Sequence, residues 1–205
     1  MPGETDVINA AARLVGAEPI TSLIDGTKTA NVANDIYDEL RDHLLRCHPW
    51  DFAIKRVQLA QSSTEPAFEF DHAYPVPADW LRTISVHDND AGHGTILYRM
   101  EQIADQRAIV TSSDQVYLRY VARVEDPNMM TSDFRRLLEV SLARDFAIPL
   151  AASNAMQEQY QQQAIRVMAQ ARSTDALGSF PELRPRGSWA SSRGGSRRNQ
   201  FFSDD

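Results

Sequence analysis

The chain contains one cysteine, Cys47, so it cannot form an internal disulfide. Secreted domains of this size usually carry cysteines in pairs, whereas one free thiol is typical of a reducing cytoplasm. The sequence has no apolar run of the roughly 18 residues that a membrane helix needs. Its first residues, with Glu4 and Asp6, lack the basic and apolar regions of a signal peptide. We expect a soluble protein with no membrane partner that stays in the compartment where it is made.

The sequence also lacks signatures of catalysis. It contains no GxSxG, no GxxxxGK[ST] and no GxGxxG after a strand. His43, Cys47 and His48 lie close together, but they would supply only two or three of the four ligands of a tetrahedral metal site. We therefore predict no catalytic residue, no cofactor and no metal. Because 28 residues are acidic, a carboxylate pair that hydrolyses a glycan stays open as an alternative.

Charge is distributed unevenly along the chain. Residues 178–205 hold five arginines and three acidic residues, so the formal net charge of −7 for the whole chain becomes −9 for residues 1–177. An acidic body repels phosphate and suits a surface past which DNA slides without specific binding. A second alternative is a DNA-packaging accessory protein, in which the arginines contact phosphate and binding falls steeply with salt.

Apolar residues recur at helical spacing in four places, two near each end of the chain. The first and second helices are predicted at residues 5–15, with Thr5 as N-cap and Gly16 as C-cap, and at residues 27–47. A third helix follows a cap at Thr131 or Ser132 and is broken or kinked by Pro149, and a fourth is predicted at residues 153–176.

The middle of the chain has short alternating runs rich in Val, Ile, Tyr and Phe, which indicate an antiparallel β domain. Candidate strands are residues 55–59, 67–70, 83–87, 95–100, 107–111 and 115–122. We therefore expect an α+β fold with a four-helix bundle core, an inserted small antiparallel β domain and an extended C-terminal arm. The corresponding boundaries are residues 1–52 and 128–177 for the two halves of the bundle, 53–127 for the β domain and 178–205 for the arm.

The arm is rich in Ser, Gly and Arg and holds two prolines, a composition that cannot bury enough apolar surface to fold alone. We expect it to be disordered in isolation and to fold on docking to another subunit. Aromatic side chains would anchor it while arginines meet carboxylates. The residues predicted for this contact are Phe180, Trp189, Arg193, Arg197, Arg198, Phe201 and Phe202.

A polar segment between two candidate strands, residues 88–94, has the sequence DNDAGHG. Such a loop is expected to project into solvent or into a partner. Its candidate contact residues are Asp88, Asn89, Asp90 and His93.

Four stretches of the chain, taken together, resemble a known protein family. They are AARLVGAEPITSLIDGT at residues 11–27, HPWDFA at 48–53, YPVPADWLR at 74–82 and LRYVARVEDP at 118–127. Together, and in this order, they resemble tubular tail protein A and the related head-to-tail adaptor, or connector, proteins of short-tailed phages. The resemblance covers roughly residues 1–177, and none of the stretches is a catalytic signature.

Two of these stretches have a plain physical interpretation. In HPWDFA, Pro49 ends a helix while Trp50 and Phe52 anchor the exit strand against the helices. In YPVPADWLR, the prolines hold an extended approach, and Asp79 and Trp80 open a short turn. We interpret the following residues as structural anchors rather than partner contacts: Pro49, Trp50, Phe52, Tyr74, Pro77 and Trp80.

The resemblance implies a structural virion protein that assembles as a dodecameric ring below the portal protein after DNA packaging. A tail nozzle protein would bind the far side of the ring, and tail fibres its flank. The polar 88–94 loop is the candidate contact for the nozzle or the fibres. Genomic DNA would pass through the channel, and the chain would be synthesised in the cytoplasm of the host bacterium. The arm departs from the family's pattern, so its assignment to the portal rests on composition. Some relatives have been proposed to degrade surface glycans, which supports the hydrolase alternative.

Overall fold

The computed structural model describes residues 3–178, and the predicted arm lies outside the described residues. The described range is a mixture of helices and strands, which confirms the α+β class. Its α-helices are α1 (Glu4–Val15), α2 (Lys28–Cys47), α3 (Ser132–Ala151) and α4 (Asn154–Gly178). Its strands are β1 (Ile54–Leu59), β2 (His72–Pro75), β3 (Trp80–His87), β4 (Arg99–Ile103), β5 (Gln106–Thr111) and β6 (Val116–Ala122). No helix among the described residues has both the length and the apolar character to cross a membrane.

Local capping fixes most helix ends. Gly16 ends α1 in the left-handed region, at φ 71°, and the side chains of Thr27 and Thr131 accept hydrogen bonds at the starts of α2 and α3. The prediction of Thr5 as an N-cap was wrong, because Gly3 takes that position and its N–H donates to the side chain of Asp6. The prediction that Pro149 interrupts the third helix was also too strong. This proline lies in the last turn of α3, which continues to Ala151.

Helix α3 lies at the centre of the helical core, and α1, α2 and α4 each pack against it. Its interior-facing residues are almost completely excluded from solvent: Phe134, Leu137, Leu138, Val140, Leu142, Ala143, Phe146 and Ala147. Helix α4 buries mainly the stripe formed by Tyr160, Ala164 and Ala171. Two strand residues, Leu81 and Val121, belong to the same apolar cluster, so the helices and the neighbouring sheet share one core.

The strands form two antiparallel three-stranded sheets, in the orders β1-β6-β3 and β2-β5-β4. Side chains from both sheets meet in a second apolar cluster that includes Tyr74, Ile109 and Leu118. A smaller third cluster, around Phe70, covers the outer face of the second sheet. All six strands lie between α2 and α3 in chain order.

Two predicted strands were misplaced. Residues 67–70 form no strand, because Glu69 has a φ of 75° and Phe70 turns inward to pack on the second sheet, so pairing begins at His72. Residues 95–100 pair only from Arg99 onward. The register of β4 against β5 is set by the turn at Ala104 and Asp105, which both have positive φ, as tight hairpins require.

Candidate interaction surfaces

The seven arm residues predicted to dock on a partner, Phe180, Trp189, Arg193, Arg197, Arg198, Phe201 and Phe202, lie outside the described residues. The described residues do hold the anchors and the polar loop. The geometry around these two features defines the candidate surfaces.

Trp50 of HPWDFA is completely buried beside the end of α2. Its ring meets Phe134 of α3 edge-on at a centroid distance of 5.2 Å and stacks on Phe52 at 6.3 Å. Its indole N–H donates to the carbonyl of Leu44, 3.0 Å away. The last four carbonyls of a helix have no partner within the helix, so Trp50 satisfies one of these groups while it fills the core.

Two further side chains bond to the same helix end. The guanidinium of Arg82, the last residue of YPVPADWLR, donates to the carbonyl of Arg46 at 3.0 Å. Arg172 of α4 donates to the carbonyl of Cys47 at 3.1 Å. Side chains from the α2–β1 connection, from β3 and from α4 therefore converge on one helix terminus, which we name the α2 junction: the carbonyls of Leu44, Arg46 and Cys47 with Trp50, Arg82 and Arg172.

The end of α4 is attached beside the α2 junction. Asp175, whose side chain is 8% exposed, bonds His48 Nε2 through Oδ2 at 3.0 Å and accepts the backbone N–H of Asp51 through Oδ1 at 3.3 Å. The described chain ends three residues later at Gly178. The origin of the predicted arm is thus held next to HPWDFA.

The YPVPADWLR stretch turns at Pro77, whose carbonyl accepts the N–H of Trp80 at 3.0 Å. Tyr74 is 1% exposed and donates its hydroxyl hydrogen to the carbonyl of Ser113 at 2.7 Å. The indole of Trp80 donates to Thr83 Oγ1 at 3.1 Å, and Arg107 lies over its ring at 5.6 Å. Tyr74 is therefore buried and bonds β2 to the connection between β5 and β6. Trp80 lies half-buried at the edge of the first sheet.

Asp79 joins three parts of the sheet. Its Oδ2 pairs with Lys55 Nζ at 2.7 Å, its Oδ1 accepts the hydroxyl of Tyr120 at 3.0 Å, and its carbonyl accepts the N–H of Arg123 at 2.6 Å. Burial acts to raise the pKa of Asp79, but the bonds from Lys55 and Tyr120 outweigh it and lower that pKa below its usual value. Burial, together with the Asp79 carboxylate, raises the pKa of Tyr120 to about 12. A lowered pKa is the opposite of what the general acid of a glycosidase needs.

Replacing Asp79 with asparagine is expected to lower the free energy of unfolding by about 1 kcal/mol near neutral pH, because the partly exposed ion pair with Lys55 is lost. The pKa in the folded protein lies below the 3.8 of an exposed aspartate. The stabilisation by the Asp79 carboxylate should therefore be complete above pH 3.8 and should be lost as the pH falls through the lower pKa of the folded protein. Urea unfolding at pH 7, 5 and 3 measures it, with the exposed Asp35→Asn as the matched control. A deficit that stays constant down to pH 3 would contradict this assignment.

The fourth of the resembling stretches, LRYVARVEDP, connects the first sheet to α2. Arg123 Nε donates to Asp42 Oδ2 at 2.7 Å, and the other carboxylate oxygen of Asp42 accepts Arg41. Three of the four resembling stretches therefore meet where α2 adjoins the first sheet.

The 88–94 loop is folded on itself by its own side chains. Asn89 donates from Nδ2 to Asp88 Oδ1 at 2.7 Å and to the carbonyl of His93 at 2.9 Å, and its Oδ1 accepts the N–H of His93 at 3.2 Å. His87 bonds the carbonyl of Gly94 through Nδ1 and Ser85 Oγ through Nε2. The loop therefore has a defined shape, with the side chains of Asp88, Asp90 and His93 exposed.

A pocket of about 410 Å³ lies between this loop and the outer face of the first sheet. Strand register places Arg56 of β1 directly opposite Arg119 of β6, and both arginines line the pocket together with Asp90. This pair could not be predicted from the sequence, because only the strand register brings the two arginines together.

The histidines pair with ordinary hydrogen-bonding groups. His43 Nε2 lies 3.6 Å from Cys47 Sγ, and His72 bonds Gln61 and Asp114 at 2.9 and 3.3 Å. Between residues 3 and 178, no three His, Cys, Asp or Glu side chains are grouped so that they could hold a metal ion.

Comparison with known proteins adds no identification: no protein-family model matches the chain, and no curated protein sequence is significantly similar to it. The class established by the fold is thus an α+β protein whose helices and first sheet share a core.

Proposed function

We propose that this protein is a structural ring subunit, the adaptor that joins a phage portal to the tail nozzle and lines the DNA channel. The observation that carries the proposal is the α2 junction. Trp50 and Arg82, from two of the resembling stretches, bond the carbonyls of Leu44 and Arg46, and Arg123, from a third, pairs with Asp42. The resembling residues thus serve to hold the helices against the sheet.

A ring subunit must keep its shape while its faces bind neighbours, and the shared core supports this. In the proposed ring, the four helices act as one bundle around α3, with the strands as an inserted domain. The bonds of Asp175 then hold the base of the arm on the bundle, from which the arm extends to the portal protein.

The acidic composition supports a channel lining, because residues 1–177 carry a formal charge of −9 and DNA must move past them. In the same proposal, Asp88, Asn89, Asp90 and His93 of the 88–94 loop contact the nozzle or the tail fibres. Its self-bonded shape suits a preformed contact, since little conformational entropy is lost when a rigid loop binds.

Mixing the purified full-length chain with rings of the portal protein from the same source tests the proposal. We expect a collar with twelvefold symmetry on one end of each portal ring in negative-stain images, and a mass increase of twelve chains. Portal rings alone are the reference, and a portal from an unrelated phage is the specificity control. Absence of a collar, or turnover of a purified glycan by the chain alone, would contradict the proposal.

A further inference from the structure

Phe68 is exposed although the neighbouring Phe70 is buried. The side chain of Phe68 is 81% exposed, the largest value for any Phe, Tyr or Trp between residues 3 and 178, whereas Phe70 is 8% exposed and packs on the second sheet. In an extended chain, residues two positions apart lie on the same face. Glu69 breaks this pattern, because its φ of 75° is a left-handed conformation that residues other than glycine rarely adopt. The backbone therefore buries one ring and presents the other to solvent.

Phe68 lies within an acidic segment, residues 65–71, which we name the Phe68 loop. The loop contains three acidic residues and no lysine or arginine. Glu69 pairs with Arg99 of β4 at 3.2 Å, which attaches the loop to the edge strand of the second sheet. Glu65 and Asp71 are exposed and have no ion pair within the described residues. The Phe68 loop therefore presents an aromatic side chain between two carboxylates.

A pocket of about 480 Å³ has a complementary composition. It lies between the turn that follows β2 and the first residues of β3 and β5. No acidic residue is among the described residues that line it. We name it the Trp80 pocket, and its lining includes an apolar set and two arginines: Val76, Pro77, Ala78, Trp80, Arg107 and Arg123.

Arg107 is the cation that the Trp80 pocket offers to a ligand. Arg123 is neutralised by Asp42, 2.7 Å away. The Arg107 guanidinium lies 5.6 Å from the centre of the Trp80 ring and has no ion pair within residues 3–178. A guanidinium held over an aromatic ring still has N–H donors available for a carboxylate, and the half-buried ring can contact another aromatic side chain. The pocket therefore suits a phenylalanine with a carboxylate close to it in the chain.

The Phe68 loop and the Trp80 pocket lie at opposite ends of the second sheet. The loop leads into His72, which pairs with Thr111 at the end of β5. The pocket includes Arg107 near the start of β5, whose carbonyl accepts the N–H of Val76 at 2.9 Å. The four residue steps from Arg107 to Thr111 span about 13 Å. Each chain therefore presents the loop and the pocket on separate surfaces, and both surfaces can bind another molecule.

We propose that Phe68 of one copy of this chain inserts into the Trp80 pocket of a second copy, with Glu65 or Asp71 bonded to Arg107 of that copy. Charge complementarity selects this occupant, because the loop is acidic and the pocket is basic. Since the two surfaces differ, the contact is head-to-tail and can repeat until a ring closes. The inference supplies a contact between neighbouring subunits of the ring proposed above, and it rests on that proposal for its setting.

Sedimentation velocity of the full-length chain, without portal protein, tests this contact. The unchanged chain should form species larger than a dimer as its concentration rises. Phe68→Ser removes the inserted ring and Arg107→Glu makes the pocket repel the loop, so each variant alone should associate at least about 30-fold more weakly. An equal mixture of the two variants should form a dimer and nothing larger, because only one loop and one matching pocket remain.

Two further variants are matched controls. Ile24→Ser removes another exposed apolar side chain, which is 92% exposed, and Arg166→Glu reverses another exposed charge, on α4. Both should associate like the unchanged chain. Phe68 and Arg107 are themselves exposed, so thermal unfolding should show that their variants fold normally.

Three results would overturn the inference: an unchanged chain that stays monomeric at about 1 mM, variants that associate as well as it does, or a mixture that forms no dimer. Because no portal ring is present, each of these results is distinguishable from failure to form a collar, which tests the proposed function.

Discussion

Replacing Trp50 with alanine should lower the free energy of unfolding by about 3–5 kcal/mol, the largest single-residue effect that we expect in this protein. The side chain is completely buried and contacts aromatic rings of α3 and of its own segment. Its loss leaves a cavity and also leaves the Leu44 carbonyl without its donor. Because the ring lies between α2 and α3, the change should also loosen the place where the helices join the first sheet.

Urea unfolding followed by far-UV circular dichroism measures this effect. Trp50→Phe, which keeps an aromatic ring but removes the N–H donor, should show an intermediate loss. Phe68→Ala is the control for loss of an aromatic side chain, since Phe68 is 81% exposed and should change stability by no more than about 0.5 kcal/mol. A loss below about 1 kcal/mol for Trp50→Ala would show that the segment is not an anchor.

Ending the chain at Gly178 should abolish binding to the portal ring while the body keeps its stability. The removed residues include the aromatic and arginine side chains proposed as portal contacts, and interface energy is concentrated in residues of these types. The core clusters are formed by residues before Gly178, so the unfolding transition of the body should remain cooperative.

Negative-stain imaging and co-sedimentation with portal rings measure the loss. A variant with Trp189, Phe201 and Phe202 changed to serine keeps the length and charge of the arm and should bind as poorly as the truncated chain. Undiminished collar formation by the truncated chain would remove the arm from the proposed interface.

Helix positions were predictable to within about three residues, because caps and breakers act over one helical turn. Gly16 and Thr27 are examples in which a local rule fixed a helix end. Strand positions were less predictable, since alternation of apolar residues does not specify a partner strand. The segment before β2 was misassigned because Glu69 adopts a positive φ that its residue type does not indicate.

The residues of the candidate surfaces also differ in whether they could be predicted from the sequence. HPWDFA and YPVPADWLR could be selected from the sequence, because tryptophan and proline clusters between periodic segments have clear packing roles. Arg82, Arg172 and Asp175 could not be selected, because each bonds a group distant in the chain. The pairing of Arg56 with Arg119 likewise depends on strand register.

The sequence by itself determined the α+β class, the order of the elements, the acidic body and the basic arm, because composition and short-range periodicity depend on neighbours in the chain. Only the tertiary structure decided that α3 is the centre of the helical core and that side chains from three segments meet at the end of α2. It alone also buried the Tyr37 hydroxyl without a hydrogen-bond partner among the described residues. These features arise from contacts between residues tens of positions apart, and close packing selects such contacts only once the whole chain is folded.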